Sequence, residues 1–188
     1  ASADASFRRY FRLTWPDGQT RILMGAPPEK EDCKPFIHVA GLLAKADLAA
    51  PRILDKDLDH GFLVLTDLGR IGYLDALNAD LAMADLLIRP VLDVLVTWQL
   101  SSTAATLPPY DAALLRRELD LFPEWFIGRH LGVELDDSEK TMLDRTFKFL
   151  INSALNQPKV FVHRDFMPRN LMVVESEARL TPGIIDFQ

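Results

Sequence analysis

Two short polar loops, each set against an apolar run, constrain this 188-residue chain more than any other feature. In Phe161-Val162-His163-Arg164-Asp165-Phe166-Met167-Pro168-Arg169-Asn170-Leu171-Met172-Val173-Val174 an apolar run leads in, a charged loop follows, and a second apolar run leads out. That order predicts strand, polar loop, strand, a frame that holds side chains rigidly. Asp165 and Asn170 stand five positions apart in the loop, and a second apolar strand, Gly183-Ile184-Ile185, ends in Asp186. One aspartate to orient a hydroxyl, with an Asn and an Asp to hold Mg²⁺, is the set that phosphoryl transfer needs.

The rest of the composition bounds that reading. The chain is 48% hydrophobic and 26% charged, ordinary usage for a soluble globular protein, which argues against disorder and against a membrane protein. Its length suits one domain or two small lobes. A formal net charge of −6 argues against nucleic-acid or anionic-membrane partners, so phosphate must be met by a few local cations. The single cysteine, Cys33, excludes an internal disulfide and reads as a buried packing thiol in a reducing, cytoplasmic compartment. No apolar run reaches spanning length, and no charged-apolar-small leader opens the chain. The start at Ala1 and the stop two residues past Asp186 suggest part of a longer protein.

Along the chain, residues 5–25 read as a β-hairpin turning at Pro16-Asp17-Gly18, with a small polar stretch from Ser2 to Ser6 leading in. Pro27-Pro28 breaks the second strand, and a helix is expected over Glu29–Asp47 with Phe36, Val39, Ala40, Leu43 and Ala44 on one face. Strands at 51–54 and 61–66 flank a turn at Lys56–His60. The strand-rich pattern stops near Thr66-Asp67, and helical character begins at Tyr73. Asp85–Gln99 carries Leu86, Leu87, Val91, Leu92, Leu95 and Trp98, with a kink expected at Pro90. Asp111 is placed to cap a helix over 112–122, after which Pro123 should re-set the chain. Asp136 with Glu139 forms a capping box, followed by a stripe of Met142, Leu143, Phe147, Leu150 and Ala154. His38 and His60 lack metal-ligand spacing. The cluster Arg116, Arg117, Glu118, Asp120, Glu124 reads either as a solvated helix face or as the border of a polar pocket.

His163-Arg164-Asp165, Pro168, Asn170 and then Asp186-Phe187 resemble the catalytic and metal loops of the protein-kinase-like superfamily. Within it the chain is similar to the aminoglycoside phosphotransferase and choline kinase branch, nearest to the bacterial anomeric amino-sugar kinases of cell-wall recycling. The nearer likeness rests on 2–12, on Ala26-Pro27-Pro28 and on 117–125. The resemblance implies an α+β fold of two lobes: a small β-rich nucleotide-binding lobe over 1–66, and a mainly helical, truncated lobe over 67–188. It implies ATP and Mg²⁺ as cofactors, Asp165 as the catalytic base, and Asn170 and Asp186 as metal ligands. Nucleotide contacts are implied at Ser6, Phe7, Arg8, at the hinge Thr66, Asp67, Leu68, and at Arg169; His163 supports its loop. Glu118, Asp120 and Glu124 are implied to border the acceptor site. The acceptor so implied is a small amino sugar, the anomeric hydroxyl of N-acetylmuramate or N-acetylglucosamine, giving the α-1-phosphate. An aminoglycoside or other small alcohol, or a nucleotide-binding pseudokinase, stays open. The chain departs from the superfamily in having no lysine on the second strand. Arg8, Arg9, Arg12, Arg21 and Lys30 are the candidates to replace it, with Glu31 as a partner, and Arg and Lys differ in reach and geometry.

Overall fold

A computed structural model describes residues 7–103, 106–175 and 180–187. The chain divides into two compact units, one formed by 1–102 with 162–188 and the other by 103–161. It is an α+β fold with a β-sheet at its N-terminal end and a helical region after it.

The first unit opens with β1 (Arg9–Thr14) and β2 (Thr20–Gly25), antiparallel, with Arg9 opposite Gly25 and Thr14 opposite Thr20. The turn between them is closed by the Asp17 side chain accepting from the Gln19 N–H and by Gly18 at φ +83. These are the two devices that make Asp-Gly a turn signal. Helix α1 (Lys34–Lys45) follows, later than the sequence pattern suggested. Residues 29–31 are taken up in a turn in which Lys30 and Glu31 both donate to the Pro27 carbonyl, and helix begins only where Pro35 supplies a pre-set φ in its first turn. Phe36, Val39, Ala40 and Leu43 are buried on its inner face, whereas Ala44 is exposed.

Strands β3 (Ile53–Asp57) and β4 (Phe62–Thr66) complete a sheet in the order β1-β2-β4-β3. Their turn falls over 58–61, and β3 starts two residues later than expected. Gly61 explains the placement: its φ is +74, its carbonyl accepts from the Ala26 N–H at 2.7 Å, and a Cβ there would meet the Ala26 oxygen at 2.0 Å. Only glycine fits so close an approach.

Helices α2 (Tyr73–Ala79) and α3 (Ala84–Leu100) come next, with a short 3₁₀ turn between them. Pro90 lies inside α3 without ending it. Its buried stripe is Leu87, Val91, Val94 and Trp98; Leu86 and Leu92 are exposed, so the apolar face is narrower than composition suggested. The unit is completed by a hairpin of β5 (Leu171–Glu175) and β6 (Leu180–Ile184), antiparallel with Leu171 opposite Ile184. The Ile184 N–H donates to the Ala49 carbonyl and the Val173 N–H to the Ile71 carbonyl, which fix the hairpin to the segments after α1 and before α2.

The second unit contains α4 (Ala112–Leu121), capped by Asp111 accepting from the Leu114 N–H, and α5 (Asp137–Leu155), whose Asp136/Glu139 capping box is complete. Between them Pro123 does not re-set the chain. The helical path continues as a π-helix over Phe122–His130, with Pro123 at its second residue. On α5 the buried residues are Phe147 and Ile151, while Met142, Leu150 and Ala154 are exposed.

Candidate active site

Asp165 is the central group of the first polar loop, and the backbone there is unusual on both sides of the hairpin. Arg164 has φ +70 and Asp186 φ +59. Left-handed conformations cost non-glycine residues free energy and persist where surrounding contacts fix them. Those contacts are present. The His163 Nε2–H donates to the Ile185 carbonyl at 3.1 Å, and the Ile185 N–H donates to the Asn170 carbonyl at 3.1 Å. Asn170 is buried, and its Nδ2 donates to the Asp165 carbonyl at 3.0 Å, while its own N–H closes a 3₁₀ turn onto Met167 at 2.9 Å. The Leu171–Ile184 register then puts Asn170 and Asp186 at the same end of the hairpin. The apolar lead-in at Phe161-Val162, expected as a strand, forms none; these bonds hold the loop in its place.

Burial pushes the His163 imidazole below its ordinary pKa, against the Ile185 carbonyl and the nearby Asp186 and Asp165 charges that raise it. Its Nδ1 is buried without a partner. Neutral His163, protonated on Nε2, is thus a fixed strut between the two loops. Asp165 and Asp186 are exposed, and neither forms an ion pair among the described residues. With Nδ2 committed to the Asp165 carbonyl, the Asn170 amide has its orientation set. Among the described residues no three His, Cys, Asp or Glu side chains are grouped to hold a metal. One Asn and one Asp form a smaller set, and it fits Mg²⁺, which keeps several waters and takes phosphate oxygens besides one or two protein groups.

The N-terminal residues sort sharply by what their charges meet. Arg12 is committed: Nε and Nη2 donate to Asp67 at 2.6 and 3.0 Å, and Nη2 also to the Gly69 carbonyl at 2.6 Å. Asp67 accepts from the Gly69 N–H as well, and the Arg12 guanidinium holds its carboxyl below the usual range. Arg21 donates to the Thr20 carbonyl and to Gln19. Lys30 sits over the Phe7 ring at 4.6 Å. Arg8 pairs with Glu31, Nε to Oε2 at 3.4 Å, and lies 5.9 Å over the Phe36 ring. Thr66 is bound to Arg52 through both its N–H and its hydroxyl, and Leu68 packs against β6 near Gly183. Arg169 is exposed and forms no ion pair among the described residues; Ser6 lies outside the described residues.

Tyr10, which the sequence reading did not single out, lies near several of these charges. Its ring is half exposed, yet burial of its hydroxyl end raises its pKa, with Arg8 lowering it and Asp186 and Glu31 raising it. The signal was there: Arg8, Tyr10 and Arg12 recur every second residue, on one face of an extended chain.

Of the acidic cluster in the second unit, Asp120 and Glu124 line one cavity of about 380 Å³ with Arg116, Lys140, Asp144 and Phe147. Arg116 bridges Asp120 and Asp144 at 2.8 and 2.6 Å. Glu118 is not among the lining residues; it accepts from the Tyr110 hydroxyl.

Asp165, Asn170 and Asp186 thus lie at one end of the β5–β6 hairpin. The pattern of the phosphotransferase enzyme family matches residues 1–188, and the chain belongs to that family. It is 54% identical over 189 residues to an N-acetylmuramate/N-acetylglucosamine kinase of Pseudomonas aeruginosa, covering 100% of this chain and 54% of that protein. To the enzyme of the same name in Pseudomonas putida it is 51% identical, covering 100% and 53%. The chain thus spans about half the length of these relatives. Its fold is that of the aminoglycoside phosphotransferase APH(2'')-IIa, solved in a ternary complex with streptomycin and ATP: TM-score 0.58 at 15% identity, covering 95% of this chain and 65% of that one.

Proposed function

We propose that the chain carries the catalytic and metal loops of an ATP-dependent kinase acting on the anomeric hydroxyl of N-acetylmuramate or N-acetylglucosamine and giving the α-1-phosphate. The observation behind it is the backbone-tied pair of loops holding Asp165, Asn170 and Asp186 at one hairpin end, in a chain half identical to enzymes named for those sugars. In this reading residues 1–66 form the nucleotide lobe and residues 67–188 the lobe of the catalytic loops.

Asp165 is the base. Its carboxylate accepts a hydrogen bond from the anomeric hydroxyl, orients the oxygen at the γ-phosphorus, and takes the proton as the new P–O bond forms and the bond to ADP breaks. Transfer of this kind depends chiefly on positioning and charge stabilisation, so a fixed loop counts for more than a strong base. Asn170 Oδ1 and the Asp186 carboxylate would hold Mg²⁺, which would supply charge neutralisation at the phosphate oxygens. Phosphate contacts fall to Ser6, Phe7 and Arg8, with Arg169 as a second cation. The backbone of Thr66, Asp67 and Leu68 faces the adenine edge; the Asp67 side chain is left to Arg12. Glu118, Asp120 and Glu124 accept hydrogen bonds from acceptor hydroxyl or amide groups. Among the described residues no helix is long and apolar enough to cross a membrane. We assign the enzyme to the cytoplasm because ATP is supplied there.

The test uses the full-length protein with ATP, Mg²⁺ and a panel of amino sugars and aminoglycosides, with NMR of the phosphorylated position. The expected result is an α-1-phosphate of an N-acetyl amino sugar, and no turnover of its methyl glycoside. Phosphorylation of the methyl glycoside at the rate of the free sugar overturns the anomeric assignment, and ATP binding without transfer to any acceptor overturns the kinase reading.

A further inference from the structure

The cavity of the second unit has a charge balance that hydrogen bonding to sugar hydroxyls leaves unexplained. Its lining includes three carboxylates, Asp120, Glu124 and Asp144, and each already faces a cation. Arg116 lies between Asp120 and Asp144 at 2.8 and 2.6 Å, Lys148 meets Asp144 at 2.8 Å, and Arg129 meets Glu124 at 3.3 Å. Those three negative charges are matched by three positive ones. Lys140 is a further cation on the same lining. Among the described residues its one ion pair is with Asp137, Nζ to Oδ1 at 4.0 Å, and that carboxylate is fully exposed and stands outside the lining. An exposed pair of that kind contributes little, so Lys140 can leave it at almost no cost. The helix supplies no reason for a cation there either. Lys140 is the fourth residue of α5, at the end where the macrodipole favours acids, and the Asp136/Glu139 box already closes that terminus.

The rest of the lining is apolar, with Ile127, Leu143 and Phe147 among it, and a volume of about 380 Å³ lies in the range of small-molecule sites. A ligand matched to this cavity carries one negative charge, a short apolar group beside it, and hydroxyl or amide donors for the carboxylates. N-acetylmuramate has all three. Its lactyl ether adds a carboxylate and a methyl group to the skeleton that it shares with N-acetylglucosamine. We propose that Lys140 is a specificity-determining residue, whose ammonium meets the lactyl carboxylate of N-acetylmuramate in the cavity of the second unit. N-acetylglucosamine uses the same carboxylates and goes without this contact. The assignment rests on the kinase reading above and deepens it, by naming the cation that tells one acceptor from the other.

NMR titrations of the full-length protein with N-acetylmuramate, with its neutral methylamide and with N-acetylglucosamine read the contact without turnover. Lys140→Met should weaken N-acetylmuramate about fivefold, and the two uncharged ligands less than about twofold. Lys140→Arg keeps the charge and should return N-acetylmuramate to within about twofold of wild type, whereas Lys140→Glu should weaken it beyond the Met variant. Equal weakening of all three ligands by Lys140→Met, weakening of none, or an Arg variant no better than Met overturns the proposal. The wild-type protein supplies a test that needs no substitution: added salt should weaken N-acetylmuramate and leave N-acetylglucosamine unchanged, and equal salt dependence of the two overturns it. The same sugars are then offered with ATP and Mg²⁺. Binding with the expected pattern but no transfer defeats the kinase reading and leaves Lys140 assigned, whereas transfer to both sugars with discrimination unaltered in Lys140→Met defeats the assignment alone.

Discussion

The two polar regions of the chain are built on opposite plans. At the end of the β5–β6 hairpin, Asp165, Asn170 and Asp186 are fixed by backbone bonds, a buried amide and a buried neutral imidazole. On α4 and α5 the charged groups are partly exposed and meet one another through long side chains, Arg116 between Asp120 and Asp144, and Lys148 on Asp144. Backbone bonds hold a group within tenths of an ångström, whereas exposed ion pairs are weak and screened by salt. Geometry that must not drift is thus placed on the first plan, and surface that can adapt on the second.

The largest effect should come from the hairpin end. Asp165→Asn keeps the backbone carbonyl that Asn170 grips but removes the base, so turnover should fall by about 10²–10⁴-fold while ATP affinity measured by calorimetry stays near wild type. An equal loss of ATP affinity would show that the Asp165 carboxylate holds the loop together, and the contrast between the two regions would weaken.

A smaller effect is expected from pH. His163 has its folded pKa depressed below its ordinary 6.5 by burial, so between the two values the unfolded chain binds the proton and the folded chain does not. Stability from this residue is present above the unfolded pKa and is lost as pH falls through that window. Urea midpoints should drop as pH falls below about 6.5, and His163→Asn should flatten that drop. A slope unchanged by the substitution would sink the strut assigned to the imidazole. The smallest effect belongs to α4. Arg116→Met should lower Tm less than any change at the hairpin end, and the deficit should shrink further in high salt. A salt-independent loss would mean that the α4 pairs are as fixed as the loops.

Much of the fold was legible because its signals are local. The Asp-Gly turn, the Asp111 cap and the Asp136/Glu139 box are read from a few neighbouring residues, and all three are present. The residue types and order of the two loops pointed to the family. What failed depended on partners distant in sequence. Phe161-Val162 has the composition of a strand, but no strand pairs with it. The first helical turn after Pro28 was lost to a turn closed on Pro27. Leu86, Leu92, Met142 and Leu150 sit near the apolar stripes of their helices and are nonetheless exposed. Sequence named Arg8, Arg12 and Glu31 as candidates without ranking them, since the choice depends on Asp67 lying 55 residues from Arg12.

The discontinuity of the first unit carries a consequence for the timing of synthesis. Phe36 emerges early, but its stacking partner Phe187 arrives only after the whole of 103–161 has been made. At about 5–20 residues per second the wait is roughly 8–30 s, long against the folding of a small helical segment. During that interval the nascent sheet exposes the ring that Phe187 later covers, and Asn170 lacks the Ile185 N–H that fixes its carbonyl. The second unit has everything it needs to fold within its own stretch of chain, and it should do so first on the ribosome. The loop end of the hairpin is then completed only when Ile184, Ile185 and Asp186 have emerged, and a chain stalled before Ile184 would lack the bonds that tie the two loops together.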